Sequence, residues 1–236
     1  MKLALILLVF NERDCLEILF DEIPLPGSGS GYDFLVAIDG GSTDGTIEFL
    51  ASRKVPILAQ SQGGRGEAFQ QAFNLVDADG YLFFSPDGNE AISDLTRFKP
   101  FLESGADIVI ASRMMFGGYN EEDNQLFRPR KWANKIFNAL ANFLFRQRGP
   151  YITDSINGYR AITRTAAEKL KLDASDYTIE YQMTIRALNF GLNIIEFPTK
   201  EGQRLAGETG ARSIPTGLRF IRRLWHEWYK KGMRVR

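Results

Sequence analysis

Phe34-Leu35-Val36-Ala37-Ile38-Asp39-Gly40-Gly41-Ser42-Thr43-Asp44-Gly45-Thr46 sets five apolar residues directly against a polar turn. The run Phe34–Ile38 has no polar alternation, as a parallel strand covered on both faces requires. Working outward, the unit recurs. Leu3–Val9, Ile57–Ala59, Tyr81–Phe84 and Ile108–Ala111 read as further strands. Helices are predicted near Asp14–Glu22, Gly45–Arg53, Gly66–Val76 and Glu90–Glu103. The alternation predicts an α/β fold, a mostly parallel, doubly wound sheet flanked by helices. Ligands of such sheets bind at the carboxyl ends of the strands.

The second half changes character. Gly117, Gly118 and the polar run to Gln125 read as a loop. A helix over about Pro129–Arg146 carries Trp132, Ile136, Leu140 and Phe143 on one stripe. Another helix near Ile179–Asn189 leads to a strand at Asn193–Phe197. From Leu218 onward, Leu218, Ile221, Trp225, Trp228 and Tyr229 share one helical face, with Arg219, Arg222, Arg223, Lys230 and Lys231 mostly elsewhere. Residues 1–213 are therefore read as the main domain and 214–236 as a basic amphipathic helix. Two readings of that helix stand: an interfacial element on anionic lipid, or a helix docked on its own domain or on a second subunit of a homo-oligomer.

Composition sets bounds. With 236 residues, 44% hydrophobic and 25% charged, the chain can bury a sizeable core. The single Cys15 excludes an internal disulfide framework and suits a reducing, cytoplasmic setting. The lone His226, better read as a surface residue, leaves oxygen as the main ligand for any metal. Leu3–Phe10 is followed by Asn11, Glu12 and Arg13 instead of a signal-peptide cleavage site. No stretch approaches the roughly 20 apolar residues of a membrane span. Residues 1–200 hold 20 Lys and Arg against 26 Asp and Glu, whereas 201–236 hold 9 against 3. A basic end on an acidic body suggests phosphate or a membrane surface as partner, with peripheral attachment; nucleic acid is not expected.

Polar residues gather at the expected strand ends. Phe10-Asn11-Glu12 follows the first strand, and Asp39 can accept hydrogen bonds from a base or ribose. Gly63-Gly64-Arg65-Gly66 precedes a helix, where glycines admit an anion and Arg65 attracts it. Ser85-Pro86-Asp87-Gly88-Asn89 offers Asp87 and Asn89 to one divalent cation, Mg²⁺ or Mn²⁺. Each segment alone is also an ordinary turn. Gly27-Ser28-Gly29-Ser30-Gly31 lies before the second strand and reads as a plain loop, not a dinucleotide fingerprint.

Taken in order, these segments resemble the family 2 glycosyltransferases of the GT-A fold, particularly the branch like dolichol-phosphate mannose synthase. Asn11-Glu12 is similar to that family's Tyr-Asn-Glu, residues 39–46 to its Asp-Asp-Gly-Ser-x-Asp-Gly-Thr, and residues 63–68 to its Gly-Lys-Gly-x-Ala. Asp87 and Asn89 stand at the second Asp and the Gln of an Asp-x-Asp-x-Gln metal motif. Downstream, Ser112-Arg113, Asp154-Ser155-Ile156-Asn157-Gly158-Tyr159-Arg160, Glu180, and Glu196-Phe197-Pro198 followed by Arg204 and Gly207 resemble further family segments, over about residues 1–220.

The resemblance implies an inverting transfer of a sugar from a UDP- or GDP-sugar to an acceptor, a polyprenyl or dolichyl phosphate by branch. It implies Asp87, Asp154 and Arg113 as catalytic, and Phe10, Asn11, Glu12, Asp39, Gly64, Arg65, Ser85 and Asp87 around the donor. It implies Arg113, Arg128, Arg130, Asn157, Arg160, Glu180, Arg204 and Arg212 around the acceptor. A phosphate, whose second pKa is about 6, needs no dedicated base. A hydroxyl acceptor would need one, Asp154 by analogy. Two departures stand out: Ser85 replaces the first acid of the metal motif, and Gly210 stands where a Lys is usual, with Arg212 to take its charge. Ser85 also motivates a rival class, a silent nucleotide-sugar binder. A membrane-embedded partner protein fits a lipid acceptor.

Overall fold

The computed structural model describes residues 1–27, 29–205 and 213–234. Seven strands form one sheet: β1 (Leu3–Val9), β2 (Phe34–Asp39), β3 (Ile57–Ala59), β4 (Gly80–Phe84), β5 (Ile108–Ser112), β6 (Arg160–Thr163) and β7 (Ile194–Pro198). Their order is β3-β2-β1-β4-β6-β5-β7. β1 pairs in parallel with β2 and β4, β2 with β3, and β5 with β7. β6 runs antiparallel to both β4 and β5 and separates them. It is an addition to the strands read from sequence. Its four residues, Arg-Ala-Ile-Thr, are too short to show a period, and its place is fixed by pairing alone.

Eight helices accompany the strands among the described residues: α1 (Arg13–Leu19), α2 (Thr46–Ser52), α3 (Arg65–Leu75), α4 (Phe98–Glu103), α5 (Pro129–Phe145), α6 (Arg164–Leu170), α7 (Ile179–Phe190) and α8 (Ser213–Arg234). α6 is the second addition, opened where Thr163 Oγ1 accepts from the Ala166 amide at 3.2 Å. The helix predicted over 90–103 begins instead as a 3-10 turn, Ile92–Arg97.

Both faces of the sheet are covered, which is why its strands show no polar alternation. Ala4, Ile6, Val36, Ile38, Tyr81 and Phe83 face one core with residues of α3, α5, α6 and α7. Leu3, Leu5, Leu7, Ala37, Leu82 and Phe84 face the other with Leu16, Phe49, Leu50 and Phe98. The pairing Val9↔Asp39 and Asp39↔Ala59 brings the carboxyl ends of β1, β2 and β3 level. The segments after these strands and after β4 therefore open on one edge.

α8 docks on the main domain. Phe220 and Leu224 are buried, and the Phe220 ring lies 5.3 Å from Phe137 of α5 and 5.4 Å from Tyr181 of α7. Glu227, 5% exposed, accepts from Arg186 Nε at 2.9 Å and from Gln182 Nε2 at 2.7 Å. The docked face is thus not the stripe read from the sequence. Leu218, Ile221, Trp225, Trp228 and Tyr229 all point outward.

Candidate active site

The first two strand ends are stitched together before any ligand enters. Asn11, in the left-handed region at φ 54, accepts from the Thr43 amide at 2.8 Å, and its own amide donates to Ser42 Oγ at 2.9 Å. The Glu12 amide donates to Thr46 Oγ1 at 3.0 Å. Asp39, 1% exposed, accepts from the amides of Gly41 and Ser42 at 2.9 and 3.1 Å. Its carboxylate shapes its own loop. Phe10, 59% exposed, walls a cleft of about 440 Å³ together with Glu12, Gly64, Arg65, Asp87 and Arg204.

The glycine–arginine turn is built differently from the anion cradle expected. A Cβ on Gly66 would lie 2.1 Å from the carbonyl oxygen of Ala174, and the Gly66 amide donates to Ser175 O at 3.0 Å. These glycines admit the 174–175 backbone, so the turn offers its side chain instead. Arg65 Nη1 donates to Ser85 Oγ at 3.2 Å, and Nε is paired with Glu180. Glu180, expected near the acceptor, is the partner of Arg65 in the lining of the cleft. Burial would lower the Arg65 pKa, but Glu180 outweighs it and raises it.

Around Asp87, the Asn89 amide donates to Oδ1 at 3.1 Å and Arg204 Nη1 to Oδ2 at 3.2 Å, while Arg204 Nη2 pairs with Glu12. Arg204 thus lines the same cleft as Glu12 and Asp87, apart from Arg128 and Arg130. The cause is a strap: the Gly202 amide donates to Asn89 O at 2.8 Å and that of Leu205 to Asp87 O at 3.0 Å. Burial raises the pKa of both Glu12 and Asp87 against the pull of Arg204. Two buried oxygens here, Glu12 Oε2 and Asn89 Oδ1, have no hydrogen-bond partner. Orphaned oxygens beside a carboxylate are what a hard cation takes up. No three carboxylate, imidazole or thiol groups gather among the described residues. An ion held by Asp87 and Asn89 would accordingly keep water and diphosphate as its other ligands, the habit of Mg²⁺.

Glu90 was not singled out in the sequence. It reaches back to accept from the Ser85 amide at 2.7 Å, bringing a carboxylate beside the serine that departs from the motif. Burial, then the charge of Asp87, pushes it up to about 8. The available signal was an acid five residues beyond Ser85, legible only with the turn geometry in hand.

On the neighbouring side, Arg113 follows β5 and clamps Asp154, donating from its backbone amide, Nε and Nη2 at 3.1, 2.8 and 3.0 Å. Its Nη1 donates to Glu201 at 2.7 Å. Burial would lower the Arg113 pKa, but Asp154 and Glu201 hold it well above its ordinary value. Glu196 accepts from the amides of Thr153 and Asp154 at 2.7 and 2.8 Å and so fixes the loop.

Other residues expected at the acceptor do different things. Arg160 is fully buried and donates to the carbonyls of Asn157, Ser155 and Glu180 at 2.6, 3.2 and 3.0 Å, bracing the loop from within. Asn157 Nδ2 donates to Ala111 O at 2.5 Å. Arg128 and Arg130 pair with Asp123 and Glu121 at 3.2 and 3.0 Å, on the loop before α5. Arg212, Gly207 and Gly210 lie outside the described residues. His226 is 46% exposed on α8.

A doubly wound sheet with a polar cleft at its strand ends, carboxylate and amide oxygens at one and arginines beside them, is an architecture of the GT-A type. The chain belongs to glycosyl transferase family 2, whose profile matches residues 5–170. It is 28% identical over 220 residues to polyprenol monophosphomannose synthase of Mycolicibacterium smegmatis, covering 87% of this chain and 79% of that one. It is 26% identical to dolichol-phosphate mannosyltransferase of Pyrococcus furiosus, over 95% of this chain and 64% of that one. Against glycosyltransferase AglJ of Haloferax volcanii, 29% identical, it spans about half of the relative, 54%, and 72% of its own length. Among solved structures, glucosyl-3-phosphoglycerate synthase of Mycobacterium tuberculosis with Mn²⁺, UDP and phosphoglyceric acid shares the fold. The TM-score is 0.74 at 19% identity, over 96% of this chain and 78% of that one.

Proposed function

We propose that the protein transfers a sugar, with inversion, from a nucleoside diphosphate sugar to a polyprenyl phosphate. The observation that carries this is the segment 201–204: Glu201 accepts from Arg113 Nη1 at 2.7 Å, and three residues on Arg204 Nη1 donates to Asp87 at 3.2 Å. The donor cleft and the clamped arginine therefore adjoin. The names of the mannosyltransferase relatives supply the acceptor class, and Arg113 is a suitable partner for its phosphate. Asp154 has both carboxylate oxygens engaged by Arg113, which suits a positioning role better than that of a free base.

In this reading Asp87 and Asn89, with Glu12 beside them, hold a divalent cation. Bound there, it would neutralise charge on the departing diphosphate. Arg65 and Arg204 line the same cleft and bind the diphosphate, while Phe10 covers one wall. Arg113 orients the acceptor phosphate, which attacks the anomeric carbon with its own oxygen and releases the nucleoside diphosphate. The work takes place at a membrane surface, where such lipids are met.

Purified protein would be given UDP- and GDP-sugars, Mn²⁺ and polyprenyl phosphate, with products separated by chromatography. A glycosylated lipid phosphate is expected. Arg113→Ala should abolish it while calorimetry still records nucleotide binding. Transfer to free hydroxyls but to no phosphate lipid would overturn the acceptor, and binding without any turnover would overturn the enzyme.

A further inference from the structure

We propose that α5 and α8 together form a docking face for an anionic phospholipid surface. On α5, Trp132, Ile136 and Phe143 are 49%, 60% and 87% exposed, while Asn138, Ala141, Asn142 and Phe145 on the opposite side are buried. α8 repeats the arrangement. Phe220, Leu224 and Glu227 turn inward, and Leu218, Ile221, Trp225, Trp228 and Tyr229 are each at least 46% exposed. All three tryptophans of the chain lie on these two stripes.

The stripes adjoin. On one flank of α8, Arg223 and Lys230 pair with Asp173 at 3.2 and 2.9 Å, beside the contact of Glu227 with α7. On the next flank, Phe220 meets Phe137 of α5, and Lys231 Nζ donates to Leu144 O at 2.7 Å. Counted round a helix of 3.6 residues per turn, the exposed stripe of α8 continues outward from the α5 flank. On α5, the half-buried Leu140 lies on the arc between Phe137 and Ile136. The apolar surface therefore runs across both helices.

Charge selects the occupant. α5 contains no Asp or Glu, and the one acid of α8, Glu227, is turned inward to Arg186. Lys135 and Arg222 are exposed beside the stripes and have no ion-pair partner among the described residues. A second copy related by a two-fold axis would present the same cations and no countercharge. A layer of anionic headgroups supplies that charge and takes Trp and Tyr at its interface. No helix among the described residues is long and apolar enough to cross a membrane, so the face lies on the surface. The inner side of α5 grips the loop of Asp154: Asn138 Oδ1 accepts from the Ser155 amide and Asn142 Oδ1 from the Ile152 amide, both at 2.9 Å. That loop is thus about one helix diameter, roughly 10 Å, from the docking face. The surface stands on its own geometry and adds to the lipid-phosphate reading the place where the lipid is met.

The full chain would be mixed with phosphatidylglycerol–phosphatidylcholine vesicles and with pure phosphatidylcholine vesicles. Co-sedimentation and a blue shift of tryptophan emission are expected with the anionic vesicles and much less with the neutral ones. Trp225→Ser combined with Trp228→Ser should weaken vesicle affinity about tenfold or more. Lys135→Glu and Arg222→Glu should each weaken it about fivefold. Nucleotide affinity and the unfolding midpoint should stay at wild-type values. Sedimentation that these changes leave untouched overturns the proposal, as does a concentration-dependent dimer that shields the tryptophans without vesicles. Unchanged turnover of a water-soluble, short-chain prenyl phosphate by a variant that has lost vesicle binding supports it. Intact vesicle binding with no transfer to any prenyl phosphate supports the surface and overturns the acceptor reading.

Discussion

Arg113 and Asp154 are joined by three hydrogen bonds, from the backbone amide and two guanidinium nitrogens of the arginine to the two oxygens of the aspartate. Asp154 is fully buried, and Glu201 takes Nη1 at 2.7 Å, so the two carboxylates together fix the plane of the guanidinium. Asp154→Asn should lower transfer to the lipid phosphate by about 100-fold, the scale of a misplaced orienting group. Combined with Arg113→Ala it should add little further. Steady-state rates with both substrates varied would check this, the donor KM staying near wild type. The residual rate in Asp154→Asn should keep the wild-type pH profile, since the phosphate supplies its own attacking oxygen.

Glu180→Gln removes one partner of an ion pair in which both side chains are largely covered, 20% exposed for Arg65 and 3% for Glu180. A loss of about 3 kcal/mol is expected in urea unfolding, because the guanidinium is left buried without its counter-charge. Weaker nucleotide binding should accompany it, as Arg65 loses its aim at Ser85.

Gly66→Ala and Gly158→Ala should weigh differently on folding and binding. At Gly66 the new Cβ would meet the backbone, 2.1 Å from Ala174 O, which cannot move without shifting its loop; a destabilisation of about 1–3 kcal/mol follows. At Gly158 it would meet the tip of a flexible side chain, Arg65 Nη2, at 2.0 Å. That tip belongs to the arginine paired with Glu180, so it gives way only by loosening the pair: part of that pair's stability should be lost, less than in Glu180→Gln, while UDP or GDP affinity measured by calorimetry falls.

Acid should loosen α8. Burial opposes ionisation of Glu227 and Asp173, but hydrogen bonds from Arg186, Gln182 and Lys230 outweigh it and hold both pKa values below their ordinary range. A depressed carboxylate stabilises the fold above its unfolded pKa, and that contribution fades as pH falls through the folded value. Stability should therefore decline from about pH 4.5 downward, and Glu227→Gln should flatten the decline. Melting curves across that range would check it, and an unaltered slope in the variant would refute the assignment.

The proposed cation site can be tested without turnover. Asn89→Ala removes an orphaned buried oxygen, so Mn²⁺ affinity in the presence of UDP or GDP should drop, by about tenfold on the scale of one lost ligand group. Nucleotide affinity without metal should be unchanged. Calorimetry or manganese paramagnetic resonance gives both numbers.

The parallel strands were legible because both faces of the sheet are buried, which writes itself as unbroken apolar runs such as Leu3–Val9. Strand β6 was not, since four residues held by antiparallel pairing carry no period of their own. At the site, Asp87 and Asn89 stand at a strand end and could be picked out locally. The position of Arg204 beside Asp87 could not, because it depends on amide hydrogen bonds from Gly202 and Leu205 to a turn more than a hundred residues earlier. Arg160 is expected around the acceptor from the resemblance, yet the carbonyls of its own loop and of Glu180 bury it whole. The stripe on α8 was seen, but its direction was not: periodicity finds a face without saying which way it turns.

The wedge of β6 between β4 and β5 also sets an order of assembly. β5 pairs only with β6 and β7, so its wholly buried residues Ile108–Ser112 have no neighbouring strand until residues 160–163 arrive. At translation rates of about 5–20 residues per second, that leaves an apolar segment waiting roughly 3–10 s. The first four strands can close on themselves during that interval, and the nascent chain therefore presents a half-finished sheet edge to the chaperones that meet it at the ribosome.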